Sequence, residues 1–246
     1  MPDDDGETIP CAADLYTPTP PAVNDYCGNA ITPTGPVVSA TPACEGDVTY
    51  VWTYEDCEGN SHDWTYTFTI VLPDFIMPND DGETIPCAAD LFTPVPPVVT
   101  DYCGNDITPT GPVVSATPAC EGDVTYVWTY EDCAGHSHIW TYTFTIVLPD
   151  FIMPDDDGET IPCAADLYTP VPPTVTDYCG NTITPTGPVV SPTPNCEGDV
   201  TYVWTYEDCA GHSHDWTYTF TIEYLDFTMP DDDGETIPCA ADLYTP

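Results

Sequence analysis

Not one lysine or arginine occurs in this 246-residue chain, against 42 aspartates and glutamates, for a formal charge of −42. No Lys or Arg salt bridge can form, and the chain repels itself and attracts cations. Phosphate backbones and anionic membrane surfaces are bound through basic side chains, so neither nucleic acid nor a membrane surface is an expected partner. Other absences narrow the reading further. No apolar run approaches the ~18 residues of a membrane span, so direct insertion is not expected. No Cys-x-x-Cys pair occurs, which disfavours a zinc ribbon or a thioredoxin-like motif. No Asn-x-Ser/Thr acceptor for N-glycosylation is present. No segment has helical periodicity, and no signal peptide is visible, since Met1 runs directly into Pro2-Asp3-Asp4-Asp5.

Disorder is the usual reading of such charge, but acidic disordered chains are poor in aromatics. Here hydrophobic residues make up 41% and aromatics 12%, enough for small cores. The thirteen cysteines are widely and regularly spaced. In small modules that reads as a disulfide framework and an oxidising compartment.

The organising feature is a repeat. The segment MPDDDGETIPCAADLYTP at residue 1 returns, slightly changed, at 77, 153 and 229. The first two copies differ at nine positions, including Asp3/Asn79, Glu58/Ala134 and Asp63/Ile139, which points to a long array built by duplication. The expected domains are 1–76, 77–152 and 153–228, with 229–246 opening a fourth repeat cut short. Met1 occupies the same repeat position as Met77, which reads as a window taken from a longer protein.

Within a repeat the periodicity is two. Val48, Tyr50, Trp52 and Tyr54 fall on one face of a strand, with Thr49, Val51 and Thr53 on the other. Trp64, Tyr66, Phe68, Ile70 and Leu72 alternate with Thr65, Thr67 and Thr69 in the same way. Such alternation of aromatic and β-branched residues marks half-buried antiparallel strands, and the turn-rich stretch 55–63 makes them a hairpin. The first half of the repeat is punctuated by proline. Glu7–Cys11, Pro21–Asn24 and Pro36–Ser39 fit edge strands, where missing ladder donors are tolerated. The expected fold is all-β: a tandem array of small, disulfide-stapled, immunoglobulin-like β-sandwich repeats with almost no helix.

The runs Thr8-Ile-Pro-Cys11, Val23-Asn-Asp-Tyr-Cys-Gly-Asn29, Val48 to Asn60 and Trp64 to Ile70 resemble hyalin-repeat (HYR-like) modules. They look like those of giant surface adhesins of gliding Bacteroidetes. The resemblance covers every repeat. It implies an immunoglobulin-like fold, an extracellular, cell-surface location and an adhesive or filamentous role, with no catalytic residue. His136 and His212 depart from the Asp-Cys-x-Gly-Asn pattern.

Four cysteines per repeat allow three connectivities. In an immunoglobulin-like order Cys11 and Cys44 share one pole, and Cys27 and Cys57 the other. The expected bonds are therefore Cys11–Cys44 and Cys27–Cys57, then Cys87–Cys120 and Cys103–Cys133, then Cys163–Cys196 and Cys179–Cys209. Cys239 is left over, a consequence of truncation, with an intermolecular disulfide as the sharper alternative.

Carboxylates in Gly-containing loops are the hard oxygen ligands that Ca²⁺ takes. The expected junctional set in the second repeat is Asp80, Asp81, Asp101, Glu131 and Asp132, with Glu45 and Asp47 approaching from the first. Asp156, Asp157, Asp177, Glu207 and Asp208 repeat it in the third. The competing reading is a solvated acidic surface. His136-Ser-His138 and His212-Ser-His214 could bind Zn²⁺ or Cu²⁺, though a solvated loop is the plainer reading. The outward Thr65, Thr67 and Thr69 suit an exposed strand face; an ice- or carbohydrate-binding array is the sharper alternative.

Nothing in this inventory resembles a nucleophile with its base, and duplication supplies length rather than chemistry. The expected function is a calcium-stiffened structural stalk of an extracellular adhesin. The alternative is a subunit of a polymerised filament, joined end to end or by strand addition. Its partners would be neighbouring repeats or copies of itself, and a surface polysaccharide.

Overall fold

The computed structural model describes residues 1–232, 234 and 236, so Cys239 and most of 229–246 lie outside the described residues. The chain divides into two compact units, Met1–Val147 and Leu148–Pro246. The first holds two repeats and the second holds one.

In the first repeat the strands are β1 (Asp5–Ile9), β2 (Val23–Asn24), β3 (Ala30–Ile31), β4 (Thr34–Val38), β5 (Gly46–Glu55) and β6 (Ser61–Ile70). The second has β7 (Asp81–Ile85), β8 (Val99–Thr100), β9 (Asp106–Ile107), β10 (Thr110–Val114), β11 (Gly122–Glu131) and β12 (Ser137–Ile146). The third has β13 (Asp157–Ile161), β14 (Val175–Thr176), β15 (Thr182–Ile183), β16 (Thr186–Val190), β17 (Gly198–Glu207) and β18 (Ser213–Ile222). A single 3-10 turn follows the first strand of each repeat, at Ala12–Asp14 in the first, and is all the helix among the described residues.

The expected hairpin is the backbone of each repeat. β5 and β6 pair antiparallel over their whole length, with Trp52 opposite Trp64, Tyr50 opposite Tyr66 and Val48 opposite Phe68. Cross-strand aromatic pairs of this kind stabilise a sheet beyond the area they bury. The Trp52 and Trp64 rings lie 5.3 Å apart. Val48, Tyr50, Trp52 and Tyr54 are all buried, as their alternation requires. Tyr66 departs from its strand's pattern and is half-buried, because its hydroxyl reaches out to that of Tyr16 at 3.3 Å.

The four-stranded sheet runs β1-β6-β5-β4, which puts both proline-flanked strands on its edges. β4 is antiparallel to β5, whereas β1 is parallel to β6, Asp5 to Ile9 lying beside Tyr66 to Ile70. The parallel edge brings the backbones close at Gly6, where a Cβ would collide with the Thr67 carbonyl oxygen. The second layer is the proline-rich segment with its β2–β3 ribbon. Leu15, Val23 and Ile31 pack from it onto the buried face of the sheet. Two hydrogen bonds fasten this layer. The Tyr54 hydroxyl donates to the Pro21 carbonyl at 2.6 Å, and Trp64 Nε1 donates to the Asp3 carbonyl at 2.9 Å. The same bonds recur in the other repeats, from Tyr130 to Pro97 and from Tyr206 to Pro173.

Phe75 precedes the sequence period at 77 but packs inside the second repeat, among Val99, Ile107 and Trp128. Phe151 does the same in the third repeat. The end of each linker is thus part of the core that follows it.

Candidate functional site

Cys11 stands two residues past β1, and Cys44 two residues before β5. Because Ile9 and Gly46 both lie beside Ile70, these cysteines share one pole of the repeat. At the other pole are two loops built alike, Asp25-Tyr-Cys-Gly-Asn29 and Asp56-Cys-Glu-Gly-Asn60. In the first, Asp25 Oδ1 accepts the Asn29 backbone N–H and Oδ2 accepts Asn29 Nδ2, both at 2.8 Å. Gly28 closes the turn at φ +82, a value that favours glycine. Asp56 holds Asn60 by the same two bonds. The side-chain amide of Asn29, then its backbone N–H, keep the Asp25 carboxyl below its ordinary range. In the second and third repeats a histidine replaces Asn60 without changing the device. His136 Nδ1 takes the place of the amide nitrogen, 2.8 Å from Asp132 Oδ2, and its backbone N–H donates to Oδ1. His212 and Asp208 repeat the arrangement.

The poles fall where an immunoglobulin-like order puts them, but the bonds do not. Cys11 is joined to Cys103 and Cys44 to Cys133, each pair with Cα atoms 5.7 Å apart. The expected Cys11–Cys44, Cys103–Cys133, Cys27–Cys57 and Cys163–Cys196 pairs are corrected. The reason is stacking. The Cys11/Cys44 pole of the first repeat abuts the Cys103/Cys133 pole of the second, so each cysteine meets one from the facing repeat. Pro10, Ala43, Asp101 and Asn105 line the crevice around the two bonds. Cys87, Cys120, Cys179 and Cys209 are also in disulfides, whereas Cys27, Cys57, Cys163 and Cys196 are exposed free thiols.

The linker adds a clamp of its own. His138 Nε2 lies 2.8 and 3.0 Å from the two carboxylate oxygens of Asp74, and the Phe75 ring meets the His138 ring edge-on at 4.8 Å. Asp150, Phe151 and His214 form the same group in the third repeat. The His138 side chain is what holds the Asp74 carboxyl below its usual range. At the junction Asp101 and Asp132 are each only 8% exposed, whereas Asp25 and Asp56 in the first repeat are half-buried. Burial pushes the Asp132 carboxyl up, but the His136 side chain and backbone N–H outweigh it and keep it low. Asp132 in turn raises the His136 imidazole.

The model of the HYR-like domain with four cysteines matches this sequence three times, over residues 1–70, 75–146 and 151–222. The chain belongs to that family. The matched boundary at 75 coincides with the linker phenylalanine that enters the second core. Among proteins with curated descriptions none matches. Among solved structures, cadherin domains 1–4 of protocadherin gamma B7 align at 9% identity and a TM-score of 0.29, covering 79% of this chain and 66% of that one. Domains EC1–4 of Drosophila N-cadherin align at 12% and 0.24, covering 82% and 63%. Domains EC1–3 of mouse clustered protocadherin gamma C3 align at 10% and 0.25, covering 74% and 77%. The chain spans less than two thirds of the length of the first two. With TM-scores below 0.5, none of these likenesses carries an argument about this chain.

In these HYR-like domains the expected calcium ligands are hydrogen-bond acceptors for their own surroundings. Asp80 Oδ1 accepts the Thr141 N–H and Asp81 Oδ1 the Gly82 N–H, as Asp156 and Asp157 do for Thr217 and Gly158. Asp101 and Asp177 hold Asn105 and Asn181. Glu45 accepts the Leu72 N–H and Asp47 the Thr69 hydroxyl. Glu131 and Glu207 end β11 and β17, beside Asp132 and Asp208. Asp81 sits opposite Tyr142, well along β12 from Ser137, which faces Glu131 at the pole. The sets therefore do not converge: among the described residues no three His, Cys, Asp or Glu side chains come within reach of one metal ion. The two histidines of His136-Ser-His138 go to different carboxylates, Asp132 and Asp74, and do not form a metal pair. Sequence reasoning missed the Asp74–Phe75–His138 clamp. Its signal was there: Pro-Asp-Phe-Ile stands before both the second and the third repeat, and each has a histidine at the start of its last strand.

No helix among the described residues is long and apolar enough to cross a membrane.

Proposed function

We propose that this chain is a stalk segment of an extracellular, cell-surface adhesive protein, with HYR-like domains serving as links rather than as a catalyst. The observation that carries the reading is that Cys11–Cys103 and Cys44–Cys133 join successive repeats instead of closing each one. A disulfide within a module stabilises that module alone. Two disulfides in separate loops across a junction restrain bending and twisting of one module on the next, which matters only to an array. Such bonds persist in oxidising compartments, which supports the extracellular location.

Calcium enters this proposal as a counterion rather than as an ordered shell. With 42 carboxylates and no basic side chain, repulsion along the chain is relieved by divalent cations, and exposed carboxylates such as Asp80, Asp81 and Glu131 are the hard donors they prefer.

Small-angle scattering of the full chain, oxidised and then reduced, with calcium and with chelator, is the test. The stalk reading expects one fixed maximum dimension when oxidised, a broader distribution on reduction, and a smaller loosening on chelation. An oxidised chain as variable as the reduced one would defeat it. A glycan array adds a second arm: tight binding to a polysaccharide would make the chain the adhesive head, not the stalk.

A further inference from the structure

Tyr16 belongs to the proline-rich layer and Tyr66 to β6, yet their hydroxyls lie 3.3 Å apart. Phe68 seats both rings, each with its centroid 5.0 Å from that of the phenylalanine. Tyr168, Tyr218 and Phe220 form the same group in the third repeat, at the same distances. The Glu7 carboxylate bonds the Tyr16 hydroxyl, and Glu159 bonds that of Tyr168. Both pairs are open to reagents, since Tyr16 and Tyr168 are each 51% exposed. We infer that each pair is a site of oxidative modification, where the two phenols couple into a dityrosine that staples the proline-rich layer to the sheet.

Contact, not exposure, selects these pairs, because Tyr102 and Tyr178 are more exposed still, at 60%. Coupling requires two phenoxyl radicals to meet. A partner held in place makes that meeting intramolecular. Coupling between copies is opposed by the −42 charge that each one carries. The staple also supplies what the disulfides do not. Cys11 and Cys44 both bond to the second repeat, so neither closes the first repeat on itself.

The second repeat is a natural control. Phe92 stands at the place of Tyr16 and meets Phe144 at 5.0 Å and 83°, the pose that Tyr16 takes on Phe68. The ring is seated there without its hydroxyl, so the second repeat keeps the packing and lacks the chemistry.

The oxidant is hydrogen peroxide, used by a peroxidase. Each phenol gives up one electron and its hydroxyl proton, and Glu7 stands against the Tyr16 hydroxyl to take that proton. The two phenoxyl radicals join through the ring carbons ortho to oxygen, forming one carbon–carbon bond. The hydrogens on those carbons leave as protons, and the two oxygens regain protons, restoring both aromatic rings. In sum, two phenols lose two electrons and two protons, and the peroxide is reduced to two waters.

This inference goes beyond the stalk reading and is tested apart from it, since scattering reads the junction and this cross-link lies within one repeat. The full chain, with its disulfides formed, is treated with hydrogen peroxide and a peroxidase. The monomer fraction is read for dityrosine fluorescence and then mapped with a Glu-specific protease. The parent is expected to join Tyr16 to Tyr66 and Tyr168 to Tyr218, with no cross-link in the second repeat. Tyr16→Phe with Tyr168→Phe, which installs the residue the second repeat already folds with, abolishes the fluorescence of the monomer. Phe92→Tyr adds a cross-link to Tyr142. A monomer without dityrosine, a map that places the bonds on Tyr26, Tyr102 or Tyr178, or a double variant as fluorescent as the parent each overturns the inference.

Discussion

His138 grips Asp74 across 64 residues of sequence, its Nε2 within 3.0 Å of both carboxylate oxygens, and the Phe75 ring lies edge-on against the same imidazole. The linker is thereby pinned to the repeat it introduces. Phe75→Ala is expected to destabilise the second repeat by about 3–5 kcal/mol, the usual cost of emptying a buried phenylalanine site. Asp74→Asn removes only an exposed ion pair and should change the melting temperature far less. Calorimetric scans of the two variants check the order. The pair also sets an acid limit. Asp74 is held below its ordinary range in the folded chain, so its stabilisation is present above the unfolded carboxylate pKa, near 3.9. It is lost as pH falls through the lower folded value.

His136 gives the opposite pH dependence. Its imidazole is raised by Asp132, so the stabilisation it provides is complete below the unfolded histidine pKa, about 6.5. That stabilisation drains away as pH rises through the higher folded value. His136→Asn restores the residue the first repeat uses, with its amide donating to the same carboxylate oxygen. Melting temperatures from pH 5 to 9 should fall with pH in the parent more than in this variant; parallel curves would refute the link.

Non-reducing peptide maps should yield Cys11 joined to Cys103 and Cys44 joined to Cys133. In the chain-entropy model a bond closing some ninety residues is worth about 4–5 kcal/mol. Cys11→Ser should therefore lower the stability of the first two repeats by several kcal/mol. A peptide joining Cys11 to Cys44 would contradict the structure.

Gly6→Ala tests the parallel edge. A Cβ there meets the Thr67 carbonyl oxygen, backbone that cannot swing aside. The expected cost is about 1–3 kcal/mol, as for other overpacked sites. Hydrogen exchange should show it as faster exchange of the β1 amides first, with the β5–β6 hairpin unaffected.

The hairpin was legible because its signal is local: a period of two, aromatics on one face and a turn of fixed length. Prolines likewise marked β1 and β4 as edges. The cysteine pairing was not legible, and near-identity of the repeats is the reason. A residue at the position of Cys27 looks the same in every copy, so the sequence cannot distinguish a bond within a repeat from one to the next. Only the abutting poles decide it. The hydrogen bonding of the carboxylates was not legible either. Asp101 and Asp132 do lie at a junction, but each is taken by backbone and side-chain donors two to four residues away, a short-range competition that counting charges does not reveal. His136 departed from the family pattern in letter only, since its Nδ1 and an asparagine amide occupy the same place.

The crossing disulfides also decide what the chain does when pulled. Force entering ahead of Cys11 reaches Cys103 through a sulfur–sulfur bond, bypassing the 92 residues of sequence that separate them. Unravelled, that stretch would add on the order of 300 Å of slack at ~3.5 Å per residue. Cross-linked, it adds almost none, even if every strand of the first repeat melts. The oxidised first two repeats therefore behave under load as a tether of nearly constant length. Its slack is released by reductant rather than by tension.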